Sequence, residues 1–208
     1  MSLAFFDFDG TLTTKDTILS LGLLLVEGKK SKVMTKVALL ILLSMTKYHM
    51  ITNHIFKILF CRLLLMDRDE KEVENLLMKF FEKYLPEILD PWVMESLWHH
   101  RKCGDEIYLV SSNFDFFLRS LLPRWGIKGV IATSVEIVEG RFTGRLLGMT
   151  CHGKQKLIRV LDCFDASRVR EAVGYGDSCS DLYLLQYVSR GYLIEHGENR
   201  TYSKLVSR

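Results

Sequence analysis

Three prolines and five cysteines in 208 residues leave little from which to build a small stapled scaffold. The cysteines (Cys61, Cys103, Cys151, Cys163 and Cys179) form no C-x-x-C pair and are odd in number, which argues against a zinc site and a disulfide framework. A reducing cytoplasm is the expected home. The net charge of +3 is too small to point to nucleic acid. No basic and apolar leader precedes the first apolar run, so no signal peptide is predicted. The longest uncharged apolar run, Val37 to Thr46, is ten residues, about half of the roughly 20 needed to span a bilayer. No repeat of 20 to 50 residues and no low-complexity segment is present. What remains is a chain that is 48% hydrophobic, enough for a real core in one domain or one domain with an insertion.

The near-neutral total conceals an asymmetry. Between Lys15 and Arg62 eight basic residues face only Asp16 and Glu27, a local balance of +6. The same stretch is mostly apolar, as in Ile18 to Val26 and Val37 to Met45. Such runs read as helices buried in a helical subdomain, or as helices lying on a membrane with their lysines turned outward. Asp67 or Asp69 then caps an amphipathic helix with Leu76, Leu77, Phe80, Phe81 and Tyr84 at helical spacing, ending near Pro86. Asp90-Pro91 opens another, which runs to Arg101-Lys102 and stops at Gly104. His99 and His100 on it point about 100° apart, so they read as packing or surface residues rather than a shared metal site.

Past Gly104 the period changes. Ile107 to Val110 and Val130 to Ala132 read as strands, with Phe114 to Leu122 as a helix between them. A hairpin over Glu136 to Leu147 turns at Glu139-Gly140, and Lys154 to Leu161 is helical. Ala172 to Tyr175 is a strand, Leu182 to Val188 a helix and Gly191 to Ile194 the last strand. Strands alternating with helices imply a mostly parallel sheet covered on both faces, with ligands outside the carboxyl ends of its strands.

Three polar clusters follow strand ends. The first is Asp7-Phe8-Asp9-Gly10-Thr11, after the aromatic run Leu3 to Phe6. Asp7 and Asp9 start on one side of an extended chain, and Gly10 lets the backbone bend closely around an anion or a metal. Two like charges so close call for a cation, although a bare D-x-D is equally what a solvated acidic turn shows. Ser111-Ser112-Asn113 is the second cluster. The third is Gly176-Asp177-x-x-x-Asp181, whose acids also suit a helix N-terminus. A lysine, Lys154 or Lys156, opens the helix between the second and third.

In that order and context the four elements resemble the haloacid dehalogenase superfamily, over nearly the whole chain. Within it they are similar to the phosphoserine-phosphatase-like branch (subfamily IB), with a cap inserted after the first motif. The resemblance implies an α/β fold: a Rossmann-like core of residues 1–15 and 88–208, with an all-helical cap of 16–87. It implies a phosphatase whose Asp7 attacks phosphorus to form an aspartyl-phosphate, while Asp9 is the general acid and base. Magnesium would be held by Asp7, the backbone carbonyl of Asp9 and Asp177, with Asp181 fixing that shell. Gly10, Thr11, Ser111, Ser112, Asn113 and the lysine would hold the phosphoryl group. Cys151-His152-Gly153-Lys154-Gln155-Lys156 resembles a C-x-G-x-x-K form found in some relatives, which favours Lys156 over Lys154.

The resemblance also bears on substrate. Phosphoserine phosphatases carry Ser where this chain has Gly10, a Glu that receives the substrate amino group where it has Asp16, and Gly-Gly where it has Ser112-Asn113. The Asp-Gly-Thr-Leu opening, Asp16 and the Cys-x-Gly-x-x-Lys segment look more like bacterial phosphatidylglycerophosphate phosphatases. The expectation is therefore a magnesium-dependent phosphatase of a small phosphomonoester, cytoplasmic and without an obligate protein partner. The alternatives are a lipid-phosphate phosphatase peripheral to the anionic inner-membrane surface, and a catalytically silent module that binds phosphate or a partner.

Overall fold

The computed structural model describes residues 2–27, 31–195 and 201–205, the last of these by backbone alone. The chain divides into two compact units. One comprises Met1–Lys15, Ile88–Ala132 and Cys151–Arg208, the other Asp16–Glu87 and Thr133–Thr150.

The first unit is an α/β sandwich built on a six-stranded sheet. Its central strand is β1 (Leu3–Phe6), fully buried and made of one Leu, one Ala and two Phe. β1 is followed by a wide π-type turn over Phe8–Leu12, broken at Asp9 and Gly10, whose dihedrals are not helical. The second unit opens with four helices, α1 (Ile18–Val26), α2 (Lys32–Lys47), α3 (Asn53–Leu64) and α4 (Glu70–Lys83). Next come a short α5 (Leu85–Ile88) and α6 (Pro91–Lys102). β2 (Glu106–Phe114), α7 (Asp115–Arg119), α8 (Leu122–Trp125) and β3 (Gly129–Thr133) follow, then the hairpin β4 (Val135–Val138) and β5 (Arg141–Leu146). The chain closes with α9 (Lys154–Cys163), α10 (Ala166–Arg170), β6 (Val173–Gly176), α11 (Leu182–Leu185), β7 (Arg190–Glu195) and β8 (Thr201–Leu205).

The sheet order is β3-β2-β1-β6-β7-β8. β1 pairs in parallel with β2 and β6, and β6 with β7, while β8 returns antiparallel on the edge. Side-chain alternation along β1 sorts the two faces. Phe5 packs toward Phe164 beside α9, in a core that includes Leu3, Val110, Val160 and Leu184. Phe6, on the opposite face, stacks on Tyr175 at 4.4 Å, with the His100 ring of α6 edge-on at 5.9 Å. His100 also bridges Asp105 (2.8 Å) and the Tyr175 hydroxyl (3.0 Å), so it is a satisfied packing histidine.

Capping explains where the helices start. Asp69 accepts from Glu72 N, and Asp90 accepts from Trp92 N and Val93 N with Pro91 at the first position. In the second unit Gly22 lets α1 approach α2 and α3, since a Cβ there would meet Leu39 at 2.7 Å. The hairpin turns at Glu139 (φ 50°) and Gly140 (φ 73°), the pair of positive dihedrals a two-residue hairpin loop requires.

Residues 133–150 belong with the helices of the second unit, whereas the sequence reading took 88–208 as one block. The reason is a third strand-like segment. Asp67 N donates to Phe142 O (2.9 Å), Phe142 N to Arg68 O (2.9 Å) and Glu70 N to Gly140 O (2.8 Å), so β5 is completed by the entry to α4. Arg68 is itself held below by Leu25 O and Glu72. Two further differences concern length. β2 runs on through Ser111, Ser112 and Asn113 to Phe114, and the helix expected over Phe114 to Leu122 is broken into α7 and α8. β8 has no counterpart in the sequence reading.

Candidate active site

β1 and β6 are neighbours and parallel, so their carboxyl ends lie together. Asp7 follows β1 directly, and its N–H donates to Tyr175 O at 2.9 Å, extending the pairing by one step. Asp177 follows the end of β6 in the same way. The next turn brings Asp181 back: its Oδ2 accepts from Ser178 N (3.1 Å) and Ser178 Oγ (2.7 Å). One carboxylate oxygen from each of Asp7, Asp177 and Asp181 falls within 4.8 Å of the other two. No other group of three or more such ligands occurs among the described residues.

Lys156, in the first turn of α9, sends its side chain into this cluster and is 1% exposed. Its Nζ lies 2.9 Å from Asp7 Oδ1 and is paired with Asp181 Oδ1. Lys154, two residues earlier, is exposed. Of the two lysines that sequence left open, only Lys156 reaches the carboxylates.

The turn after β1 sends Asp9 elsewhere. Its Oδ2 accepts from Asn113 Nδ2 at 2.8 Å, so its carboxylate is outside the three-carboxylate group. Asn113 is buried, and its Oδ1 accepts from Phe114 N. Ser111, also buried, accepts from Asn113 N at 3.3 Å, while Ser112 is half-buried. Thr11 is buried and its Oγ1 donates to Asp177 Oδ1 at 3.4 Å. Gly10 sits at φ 75° directly against Asp177: a Cβ there would fall 2.1 Å from Oδ2. Asp16 belongs to the second unit, where its carboxylate accepts from Ile18 N at 2.7 Å ahead of α1.

Burial dominates the electrostatics. It pushes the Asp7 carboxyl up to about 7; Lys156 works against that rise and Asp181 adds to it. Burial opposes the charge on Lys156, but Asp7 and Asp181 outweigh it and hold the ammonium well above its ordinary value. Two of the three acids, Asp7 and Asp181, therefore share one fixed cation. Asp7 Oδ1 lies near Lys156 Nζ yet accepts no well-directed hydrogen bond, which leaves a buried oxygen with unused capacity.

The residues fit a hard divalent cation. The donors are all carboxylate oxygens, the set that magnesium or manganese prefers over softer metals. The buried thiol of Cys151 is no competitor, because burial pushes it up to about 11 and it donates to Ile131 O.

Sequence reasoning did not anticipate two partners. Ser178 supports Asp181, and Asn113 holds Asp9. The first was visible as a serine opening a turn toward an acid three residues on. The second depended on β2 running past its apolar part, which a polar Ser-Ser-Asn run conceals.

Comparison with known proteins places the chain. The family model described as haloacid dehalogenase-like hydrolase matches residues 4–186. Protein CicA of Caulobacter vibrioides is 27% identical over 199 residues, covering 94% of this chain and 87% of CicA. Phosphoserine phosphatase SerB1 of Mycobacterium tuberculosis is 27% identical over 118 residues, 52% of this chain and 38% of that protein. The chain thus spans well under half the length of that relative. A solved structure of a protein of unknown function from Bordetella pertussis Tohama I superposes with a TM-score of 0.79 at 24% identity, over 91% of this chain and 87% of that one.

Proposed function

The chain belongs to the haloacid dehalogenase-like hydrolases, and from that premise we propose that it is a magnesium-dependent phosphatase acting on a phosphomonoester through an aspartyl-phosphate. The observation that carries the reading is the group of buried Asp7, Asp181 and Lys156 with half-buried Asp177, gathered where adjacent parallel strands end. A phosphate monoester is a dianion that hydrolyses extremely slowly unaided, so charge neutralisation and an in-line nucleophile are what a catalyst must supply.

In this reading an Asp7 oxygen attacks phosphorus and the ester oxygen leaves. Asp9, held by Asn113, gives that oxygen a proton and then removes one from the water that attacks the acyl phosphate. Inorganic phosphate departs and Asp7 is regenerated. Lys156 fixes the orientation of Asp7 and Asp181 and balances part of their charge. A bound magnesium ion would lower the charge of the phosphoryl oxygens and keep Asp7 ionised. Asp7 and Asp177 would hold it together with the Asp9 carbonyl, and Asp181 would support them. Thr11 and Gly10 keep Asp177 close, while Ser111 and Ser112 are assigned to the phosphoryl oxygens.

The replacement of phosphoserine-phosphatase residues at Gly10, Asp16, Ser112 and Asn113 directs the assignment to another small phosphomonoester. A phosphorylated lipid is the second reading, supported by an apolar outer helix face in the second unit. Phosphate release from a panel including phosphoserine, soluble sugar phosphates and phosphatidylglycerophosphate tests both, with magnesium or EDTA and beside Asp7→Asn. Magnesium-dependent release abolished by Asp7→Asn is expected. Release that survives the substitution removes Asp7 as nucleophile, and magnesium binding without turnover on any ester returns the chain to a silent phosphate-binding module.

A further inference from the structure

The second unit carries an apolar surface that its own core does not use. On α2 only Leu39 and Leu42 are buried. At 100° per residue, Val33, Val37, Leu40 and Ile41 form one continuous outward stripe with Met34 at its edge, and Tyr48, the residue after α2, lies on the same side beyond Ser44. Their exposures run from 51% at Val37 to 75% at Val33. Single exposed apolar residues are ordinary; a whole helix face is not. The stripe continues into a groove of about 500 Å³ between α2 and α3, walled by Ile41, Met45, Leu59 and Arg62.

Cations border this surface. Lys32 and Lys36 flank the stripe, both paired with Glu27 (2.9 and 3.5 Å), and Lys47 closes its far end. Arg62 is shared between the apolar groove and a second pocket of about 190 Å³, which it lines with His54 and Arg145. Among the described residues Lys47, Arg62 and Arg145 have no carboxylate partner, and His54 Nδ1 is buried without a hydrogen bond. Gly144 permits this pocket: a Cβ there would press on Met66 at 3.0 Å and on the α3 backbone at Arg62.

We propose that the outer face of α2 and α3 docks on an anionic phospholipid bilayer, with the stripe at the acyl boundary and Arg62 and Arg145 at headgroup phosphates. Charge decides the occupant. A second copy meeting the same face would bring the unpaired cations together, whereas a phosphate-rich apolar surface satisfies both components. Among the described residues no helix is long and apolar enough to cross the membrane, so the contact would be interfacial. The surface does not depend on which ester is cleaved, and its test involves no turnover.

Co-sedimentation of the full chain is measured with vesicles of phosphatidylcholine alone and of phosphatidylcholine mixed with phosphatidylglycerol. Wild type is expected to pellet with the mixed vesicles, and several-fold less as salt rises from about 0.1 to 1 M and the screening length falls from about 10 to about 3 Å. Leu40→Glu/Ile41→Glu lowers partitioning roughly tenfold or more. Arg62→Glu/Arg145→Glu removes the preference for phosphatidylglycerol. All four side chains are solvent-facing, and circular dichroism checks that each variant is folded. Wild type that stays in the supernatant, a stripe variant that pellets normally, or an arginine variant that keeps the preference overturns the proposal. So does a sedimentation-velocity mass of two chains that falls to one in Leu40→Glu/Ile41→Glu, which would assign the face to self-association.

Discussion

Replacing Asp7 by Asn should make the metal-free protein more stable at neutral pH while destroying its activity. The Asp7 carboxyl rises from 3.8 to about 7 because it is buried beside Asp181, and Lys156 recovers only part of that cost. A carboxyl with a raised folded-state pKa adds stability that is fully present below pH 4 and is lost as pH climbs through 7. At about 1.36 kcal/mol per unit the loss by pH 8 is roughly 4 kcal/mol at most, and about 2–4 kcal/mol once water entry is allowed for. Asn mimics the protonated acid in shape and cannot ionise. In EDTA the two proteins should therefore have equal urea midpoints near pH 4, and the variant should pull ahead up to about pH 7 and hold that lead at pH 8. Magnesium at about 1,000 times its Kd should close that gap at pH 8, since at that excess it adds about 4.1 kcal/mol to the form that binds it. Stability curves that stay parallel from pH 4 to 8, or a variant less stable than wild type at pH 8, would refute the view that this acid is held at a cost to the fold.

Lys156→Met should do the opposite, destabilising metal-free protein by about 3–5 kcal/mol at pH 8 and much less at pH 4, because it leaves buried carboxylates without their cation; urea titration at both pH values reads it. Gly10→Ala should lower magnesium affinity at least tenfold by isothermal titration, since its Cβ would fall 2.1 Å from Asp177 Oδ2 at a φ of 75°. Asn113→Ala should lower kcat roughly 10- to 100-fold through Asp9, with KM far less changed, measured on the best ester of the panel. Asp69→Ala should cost about 1 kcal/mol by removing the cap of α4 and leave kcat unaltered, which thermal melts and a rate assay together check.

What sequence made legible was whatever is local. β1, α4, α6 and the hairpin turn follow from period, caps and positive-φ residues, and they appear where those signals stand. The clustering of Asp7, Asp177 and Asp181 was also readable, because Asp7 and Asp177 sit at the exits of parallel strands, which lie on one side, and Asp181 follows one turn later. The rest was set by contacts distant in sequence. Side-chain alternation put Asp7 and Asp9 on one side, but the π-type turn at Phe8 swings Asp9 toward Asn113, 104 residues away. A spacing cannot report a turn of that kind. Between Lys154 and Lys156 the Cys-x-Gly-x-x-Lys resemblance favoured the second, and burial among acids is what sets Lys156 apart in the fold. The allegiance of 133–150 was hidden for the same reason, since it rests on backbone hydrogen bonds to residues 67–70.

Those hydrogen bonds make the second unit a two-part cassette. The chain enters it twice, at Asp16 and again at Thr133, and neither passage is complete alone. Transplanting 16–87 by itself would strip the N–H groups of Asp67 and Glu70 of their acceptors and remove the buried Phe142 ring, leaving an open strand edge as an aggregation template. Exchange of this module between relatives, in the laboratory or by recombination, therefore has to move both pieces as a matched pair. A change in one should be accompanied by change in the other, and a chimera that respects the pairing can alter what the protein touches without disturbing Asp7, Asp177, Asp181 or Lys156.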